Sequence, residues 1–250
     1  MTAPTADVRL CHLYPQQMNI YADRGNIAVL ARRLEWRGLE LEVEGIEIGE
    51  TIEPARFDMF YLGGGQDRDQ EIVAEDLVQH KALALRHAAS DGAPILCVCG
   101  GYQLAGAGYT GQDGLRMPGI ELLDVDTMAG PTRLIGDIVI DAELDGEHRT
   151  VVGFENHAGR TRLGPGARPL GQVVSGHGNN GEDRGEGAVS GRVIGTYLHG
   201  PLLPKNPWLA DILLAWALER AGVTQTLTPL DDSLEDEART RASRRAGKRR

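Results

Sequence analysis

Cysteine is scarce: the 250-residue chain holds three, and two of them, Cys97 and Cys99, are separated by a single residue. That is no disulfide framework, and a reducing, cytoplasmic setting is the expectation. Basic charge is short as well. Against 26 Lys and Arg stand 36 Asp and Glu, a net charge of −10. A nucleic-acid binder would normally carry a basic surface. No apolar run approaches the length of a membrane span. The N-terminus has no basic stretch followed by an apolar core, so no signal peptide is expected. No G-x-x-x-x-G-K-[ST] phosphate loop and no internal repeat occurs. Aromatic residues are few. What is abundant is glycine, at 33 residues, which suits many short strand-to-helix turns within one large α/β domain.

Apolar patterning puts a strand at residues 8–14, a helix at 24–37 and a second strand at 39–46. That helix carries Ile27, Val29, Leu30, Leu34 and Trp36 at roughly helical spacing, with arginines opposite. A buried strand follows at 57–62, then a long helix at 70–90 ended by Asp91-Gly92, then a central strand at 95–98. Strands alternating with helices imply a mainly parallel sheet covered on both faces. Further on, residues 135–140, 150–154, 172–175, 188–190 and 193–197 read as shorter strands joined by glycine-rich turns, and 207–221 as a closing helix. Residues 1–229 form the domain. Residues 230–250 open with Asp231-Asp232-Ser233-Leu234-Glu235-Asp236-Glu237, end in arginines, and read as a charged, disordered tail.

The most informative segment is Ile95-Leu96-Cys97-Val98-Cys99-Gly100-Gly101-Tyr102-Gln103-Leu104. Strand, cysteine, two glycines and helix in that order read as a nucleophile elbow. The glycines allow the sharp turn, and the helix N-terminus favours thiolate at Cys99. A thiolate can attack a carboxamide carbon, form a thioester and release ammonia. The oxyanion of that step needs preset donors. The N–H of Gly100 is one, and the second is expected from the Gly63-Gly64-Gly65 loop. Cys97 and Cys11 read as core packing, and a C-x-C pair supplies too few ligands for a metal. His199, at the end of the strand over 193–197, is the candidate general base. Of the six other histidines, His157 in Gly153-Phe154-Glu155-Asn156-His157 is its serious rival, and Glu155-Asn156-His157 reads as structural support near the site.

Leu62-Gly63-Gly64-Gly65-Gln66-Asp67, Cys99-Gly100-Gly101-Tyr102-Gln103 and Tyr197-Leu198-His199-Gly200 together resemble the class I glutamine amidotransferases of the cobyric acid synthase type. Leu13-Tyr14-Pro15, Met18-Asn19-Ile20-Tyr21-Ala22-Asp23-Arg24-Gly25-Asn26 and Gly153-Phe154-Glu155-Asn156-His157 are similar to the branch that serves lipid II isoglutaminyl synthases. The resemblance spans about residues 8–220. It implies the class I glutamine amidotransferase fold, a mainly parallel central sheet flanked by helices with extra antiparallel strands in the second half. It implies Cys99 and His199 as catalytic residues. It implies Arg133 as a substrate-binding arginine, able to fork the α-carboxylate of glutamine. Gly64, Gly65, Gly100 and Gln103 would line the same pocket.

One departure matters. Many relatives place a glutamate two residues after the histidine, and here Gly200-Pro201 follows His199. The orienting acid then comes from elsewhere in the chain or from a partner, and the resemblance favours the partner. Making an amide from a carboxylate needs activation, and the chain has no recognisable ATP loop. The resemblance therefore implies a heterodimer with a MurT-like, Mur-ligase-type subunit that carries ATP and Mg and amidates the D-glutamate of lipid II to D-isoglutamine. No cofactor is expected in this chain. The competing readings are a glutaminase for another synthetase, a non-catalytic scaffold subunit, and a stand-alone cysteine hydrolase. Synthetases that amidate a corrin ring usually carry an N-terminal ATPase region, whereas this chain begins almost at its first strand.

Overall fold

The computed structural model describes residues 6–19 and 24–247, so Ile20 to Asp23 of the resemblance segment lie outside the described residues. The elements run β1 (Val8–Leu13), α1 (Arg24–Glu35), β2 (Leu41–Ile46), β3 (Met59–Leu62), α2 (Asp67–Asp76), α3 (Ala82–Ser90), β4 (Ile95–Val98) and α4 (Gly100–Ala105). There follow β5 (Gly108–Thr110), β6 (Arg116–Pro118), β7 (Val125–Leu144), β8 (Glu147–Leu163), β9 (Gly171–Ser175), β10 (Gly185–Glu186), β11 (Ala188–Ser190), β12 (Val193–Thr196), α5 (Pro207–Ala221) and α6 (Ser233–Gly247).

A six-stranded sheet has the order β11-β12-β4-β3-β1-β2 and is parallel except for β11. Side chains alternate between two cores. Phe60, Leu62, Ile95 and Cys97 pack with α2, α3 and α4, while Met59, Tyr61, Leu96 and Val98 pack with α1 and α5. Both faces are buried, which is why these strands read as unbroken apolar runs. The register sets Leu62 beside Cys97 and Thr196 beside Val98. The carboxyl ends of β3, β4 and β12 are therefore level, and the chain leaving each one enters a common crevice.

The second half forms a separate six-stranded sheet around the β7–β8 hairpin. These strands far exceed the fragments expected at 135–140 and 150–154. Much of β7 alternates or exposes its side chains, so its polar face hides the strand from an apolar scan. The hairpin turns at Asp145-Gly146, both with positive φ (51° and 75°), the conformation that a tight Asp-Gly turn requires.

Three local expectations are corrected. The long helix contains a π-helical segment, Leu77–Lys81, which carries the Lys81 side chain inward. There Lys81 is fully buried, hydrogen-bonded to Asp76 and 4.7 Å from the Tyr14 ring centre. On α1, Trp36 lies beyond the helix end and is 60 % exposed, whereas Arg33 is buried. Arg33 forks Asp211 at 2.6 and 2.7 Å and reaches Asp232 at 2.6 Å. Finally, the tail is not disordered over residues 233–247: it is helix α6. Acidic side chains in its first turn and arginines in its last complement the helix dipole. Arg33 anchors its approach through Asp232, Ala246 packs on Val139 and Val152, and Arg245 pairs with Asp137 at 3.1 Å.

Replacing Asp232 by Asn removes half of a charge-assisted pair with buried Arg33. The expected cost is about 2 kcal/mol in urea unfolding, with faster tryptic cleavage at Arg239 to Arg245. Equal cleavage rates in wild type and variant would show that Asp232 does not anchor α6.

Candidate functional site

Cys99 stands between β4 and α4 with φ 54° and ψ −109°, a conformation side-chain-bearing residues rarely adopt. Its N–H donates to Thr196 O at 2.8 Å, and Gly101 N–H donates to Gly63 O at 3.0 Å. These bonds hold the turn against both neighbouring strands. A Cβ on Gly101 would lie 2.4 Å from Leu62 O and 2.7 Å from Gly63 O. Only glycine lets the elbow approach the loop so closely. Cys97 is fully buried and its thiol is pushed up to about 12 by burial, while Cys11 is buried and raised further. Both belong to the core, as the sequence suggests. Helix α4 spans only Gly100–Ala105, so its dipole is that of under two turns. Individual N–H groups count for more here than the macrodipole.

Cys99 opens into a cleft of about 350 Å³ with Gly65, Gln103 and Arg133 on its walls. Gln66, Arg68, Gln70, Tyr109, Asn156, His157 and Ala158 complete the lining. Arg133 lies within an irregularity in β7 between Ala129 and Leu134. Its Nε donates to Asn156 Oδ1 at 2.8 Å and its Nη2 to Asn156 O at 2.7 Å. One edge of the guanidinium is thus spent on Asn156. The edge left for an anion is the end-on pair of Nη1 and Nη2.

His199 is 1 % exposed. Its N–H donates to Phe154 O at 3.0 Å, and its carbonyl accepts from Phe154 N–H at 3.1 Å. The chain after β12 is thereby stitched to β8, and the His199 ring meets Phe154 edge-on at 6.0 Å. Burial lowers its pKa to about 4, with Lys205 and Arg133 adding to the shift. The imidazole is neutral at neutral pH.

Two and three residues past Phe154, Asn156 and His157 reach the cleft. The His157 ring stacks flat on Tyr197 at 3.6 Å, and its Nδ1 pairs with Gly159 O at 2.9 Å. That contact makes Nδ1 the protonated nitrogen and leaves Nε2 a buried lone pair with no hydrogen-bond partner among the described residues. Gln103 Nε2 and Thr161 Oγ1 meet the same Tyr197 hydroxyl at 3.2 and 2.7 Å. Beneath them Glu186 Oε1 accepts from Thr196 Oγ1 at 2.7 Å and from Tyr197 N–H at 2.8 Å. Burial raises Glu186 to about 7. Glu155, fully buried, accepts from the His177 and Gly178 N–H groups at 2.8 and 2.9 Å. The support expected from Glu155-Asn156-His157 is in place. Gln70 and Tyr109 are wall residues outside every motif legible in the sequence; Gln70 follows the glycine loop closely, the one cue available.

Topology, elbow and cleft define a class I glutamine amidotransferase-like α/β fold. The solved structure of PurLQS from Thermotoga maritima shares this fold, with a TM-score of 0.56 at 16 % identity over 86 % of this chain and 96 % of that one. Residues 9–207 match the model of the CobB/CobQ-like glutamine amidotransferase domain. The chain belongs to this family of glutamine amidotransferases. It is 40 % identical to the lipid II isoglutaminyl synthase (glutamine-hydrolyzing) subunit GatD of Staphylococcus aureus (strain N315), covering 93 % of each chain. It is 39 % identical to the subunit of the same name in Streptococcus pneumoniae (strain ATCC BAA-255 / R6), over 92 % of this chain and 88 % of that one.

His157 makes the stability pH-dependent. Burial lowers its pKa to about 3 in the fold, against about 6.5 in the unfolded chain. The unfolded state then binds the extra proton between those values. Stability is fully present above pH 6.5 and falls as pH drops through the window toward 3. In His157→Gln the fall should be shallower by up to about 1.4 kcal/mol per pH unit, measured by urea unfolding from pH 7 to pH 4. Parallel slopes would show that His157 protonates freely in the fold.

Proposed function

We propose that this chain is the glutaminase subunit of a lipid II isoglutaminyl synthase. It hydrolyses L-glutamine and passes ammonia to a MurT-type, Mur-ligase-like partner that binds ATP and Mg and amidates the D-glutamate of lipid II to D-isoglutamine. The observation that carries the chemistry is Cys99, held at an elbow in a cleft that also contains Arg133. The near full-length likeness to two GatD subunits supports the choice of pathway and a cytoplasmic setting. Among the described residues no helix is long and apolar enough to cross a membrane.

In this reading Arg133 holds the substrate α-carboxylate through its free edge, and Gln103 borders the side chain. The Cys99 thiol gives its proton to His199, and the sulfur attacks the carboxamide carbon. The carbonyl electron pair moves to oxygen, which the N–H groups of Gly100 and the Gly63–Gly65 loop receive. The intermediate collapses, the C–N bond breaks, and His199 returns its proton to the nitrogen, which leaves as ammonia. Water, with His199 as base, cleaves the thioester to glutamate and restores the thiol.

A His199 with a pKa near 4 accepts a proton poorly. A partner carboxylate beside it would fix its tautomer and raise its basicity. Coupling of that kind has a physical use, since ammonia released without an activated acceptor is wasted.

Cys99→Ser should abolish ammonia release from glutamine by the reconstituted complex, and Cys97→Ser should leave most of it. Loss confined to the Cys97 variant would sink the assignment.

Turnover at saturating glutamine should rise when the partner is added to the purified chain. An orienting acid is worth up to roughly 10⁴-fold in serine proteases. The acidic limb of the pH–rate profile should start near pH 4 for the chain alone and move toward 6.5 in the complex. Equal rates and identical profiles would rule out completion by the partner.

A further inference from the structure

Gln70 belongs to none of the motifs above, yet it touches both parts of the proposed oxyanion site. It lies on the first turn of α2 and is 4 % exposed. Its Nε2 donates to Gly65 O at 3.0 Å. A Cβ placed on Gly100 would lie 2.4 Å from Gln70 Nε2, 2.8 Å from its Cδ and 3.2 Å from Gly65 N. The Gln70 amide, the loop nitrogen and the first residue of α4 therefore crowd one small volume on the wall beside Cys99. The loop is stitched at both ends: Gly101 N–H takes Gly63 O, and Gln70 takes Gly65 O. Gln70 Oε1, also buried, has no hydrogen-bond partner among the described residues.

The stitch at Gly65 has a consequence for the backbone. Three successive glycines carry no side chains that could hold the loop, and glycine accepts either sign of φ. The peptide unit is planar, so fixing the Gly65 carbonyl fixes the Gly65–Gln66 plane and restrains the Gly64–Gly65 plane joined to it. The N–H of Gly65 lies in that second plane. A flip there would turn a carbonyl oxygen, in place of an N–H, toward the developing negative charge. We infer that Gln70 is a positioning residue for the Gly63–Gly65 loop, keeping its N–H groups turned toward the Cys99 site. This rests on the reading of Cys99 as the nucleophile of glutamine hydrolysis.

The test uses the full-length chain with its synthetase partner. Gln70→Glu keeps the shape but sets a carboxylate against the Gly65 carbonyl; Gln70→Met keeps the length without a donor. In both, kcat for glutamine hydrolysis should fall about 10²–10³-fold, the effect of losing one oxyanion donor, while KM changes less than about threefold. Alkylation of Cys99 by iodoacetamide, a displacement at a saturated carbon that forms no oxyanion, should keep its rate within about threefold. If one variant does not fold, the other supplies the measurement. Near wild-type turnover in Gln70→Met overturns the inference, and so does an alkylation rate that falls in step with turnover, since the thiol and not the loop would then be disturbed. Cys99→Ser in the same assay separates the two readings. Full turnover in Cys99→Ser overturns the site itself, whereas an inactive Cys99→Ser beside an unimpaired Gln70→Met overturns the role of Gln70 alone.

Discussion

Cys99 sits in a backbone conformation that only its surroundings can hold. Strand β4 delivers it, Thr196 of β12 accepts its N–H, and the carbonyl of Gly63 after β3 takes the N–H of Gly101. Three parallel strands in level register are therefore the condition for the turn. The glycines follow from the same condition, because a methyl group at Gly101 would strike a backbone oxygen that cannot move aside. The rest of the cleft is built outward from this point.

The second sheet contributes the opposite wall by a different device. The β7–β8 hairpin carries Arg133 and Asn156 on adjacent strands, so one clamps the other before any ligand arrives. Phe154 of β8 pairs with His199 beyond β12, which joins the two sheets at the site. Beneath lies a buried polar layer of Glu186, Thr196, Tyr197, Thr161 and Gln103. Buried polar groups specify geometry when satisfied and are expensive otherwise, so this layer fixes the position of Tyr197 and, through stacking, that of His157. Neutral histidines are the electrostatic result: burial keeps both His157 and His199 uncharged near neutral pH.

Much of this was legible in the order of residues. The buried strands at β3 and β4 announce themselves as apolar runs, and the elbow announces itself by Cys99-Gly100-Gly101 between a strand and a helix. The long hairpin was legible only in pieces, because one face of β7 is polar and its irregularity after Ala129 breaks the period. The tail reads as disorder in the sequence because acidic and basic runs look alike whether solvated or helical; its ordering rests on Asp232 meeting Arg33, a residue 199 positions away. Arg33 reads as a solvated arginine for the same reason, as its partners lie on α5 and beyond.

The alternation of strands and helices, the elbow at Cys99, the glycine loop and the histidine at a strand end are written in the order of residues. These are local: each needs only a few neighbouring residues of the right size and polarity. Tertiary structure alone decided which side chains share the cleft. Gln70 meets Gly100, Asn156 meets Arg133, and His157 lies flat on Tyr197 because strand register and hairpin twist bring distant segments within hydrogen-bonding reach. No spacing along the chain encodes those distances.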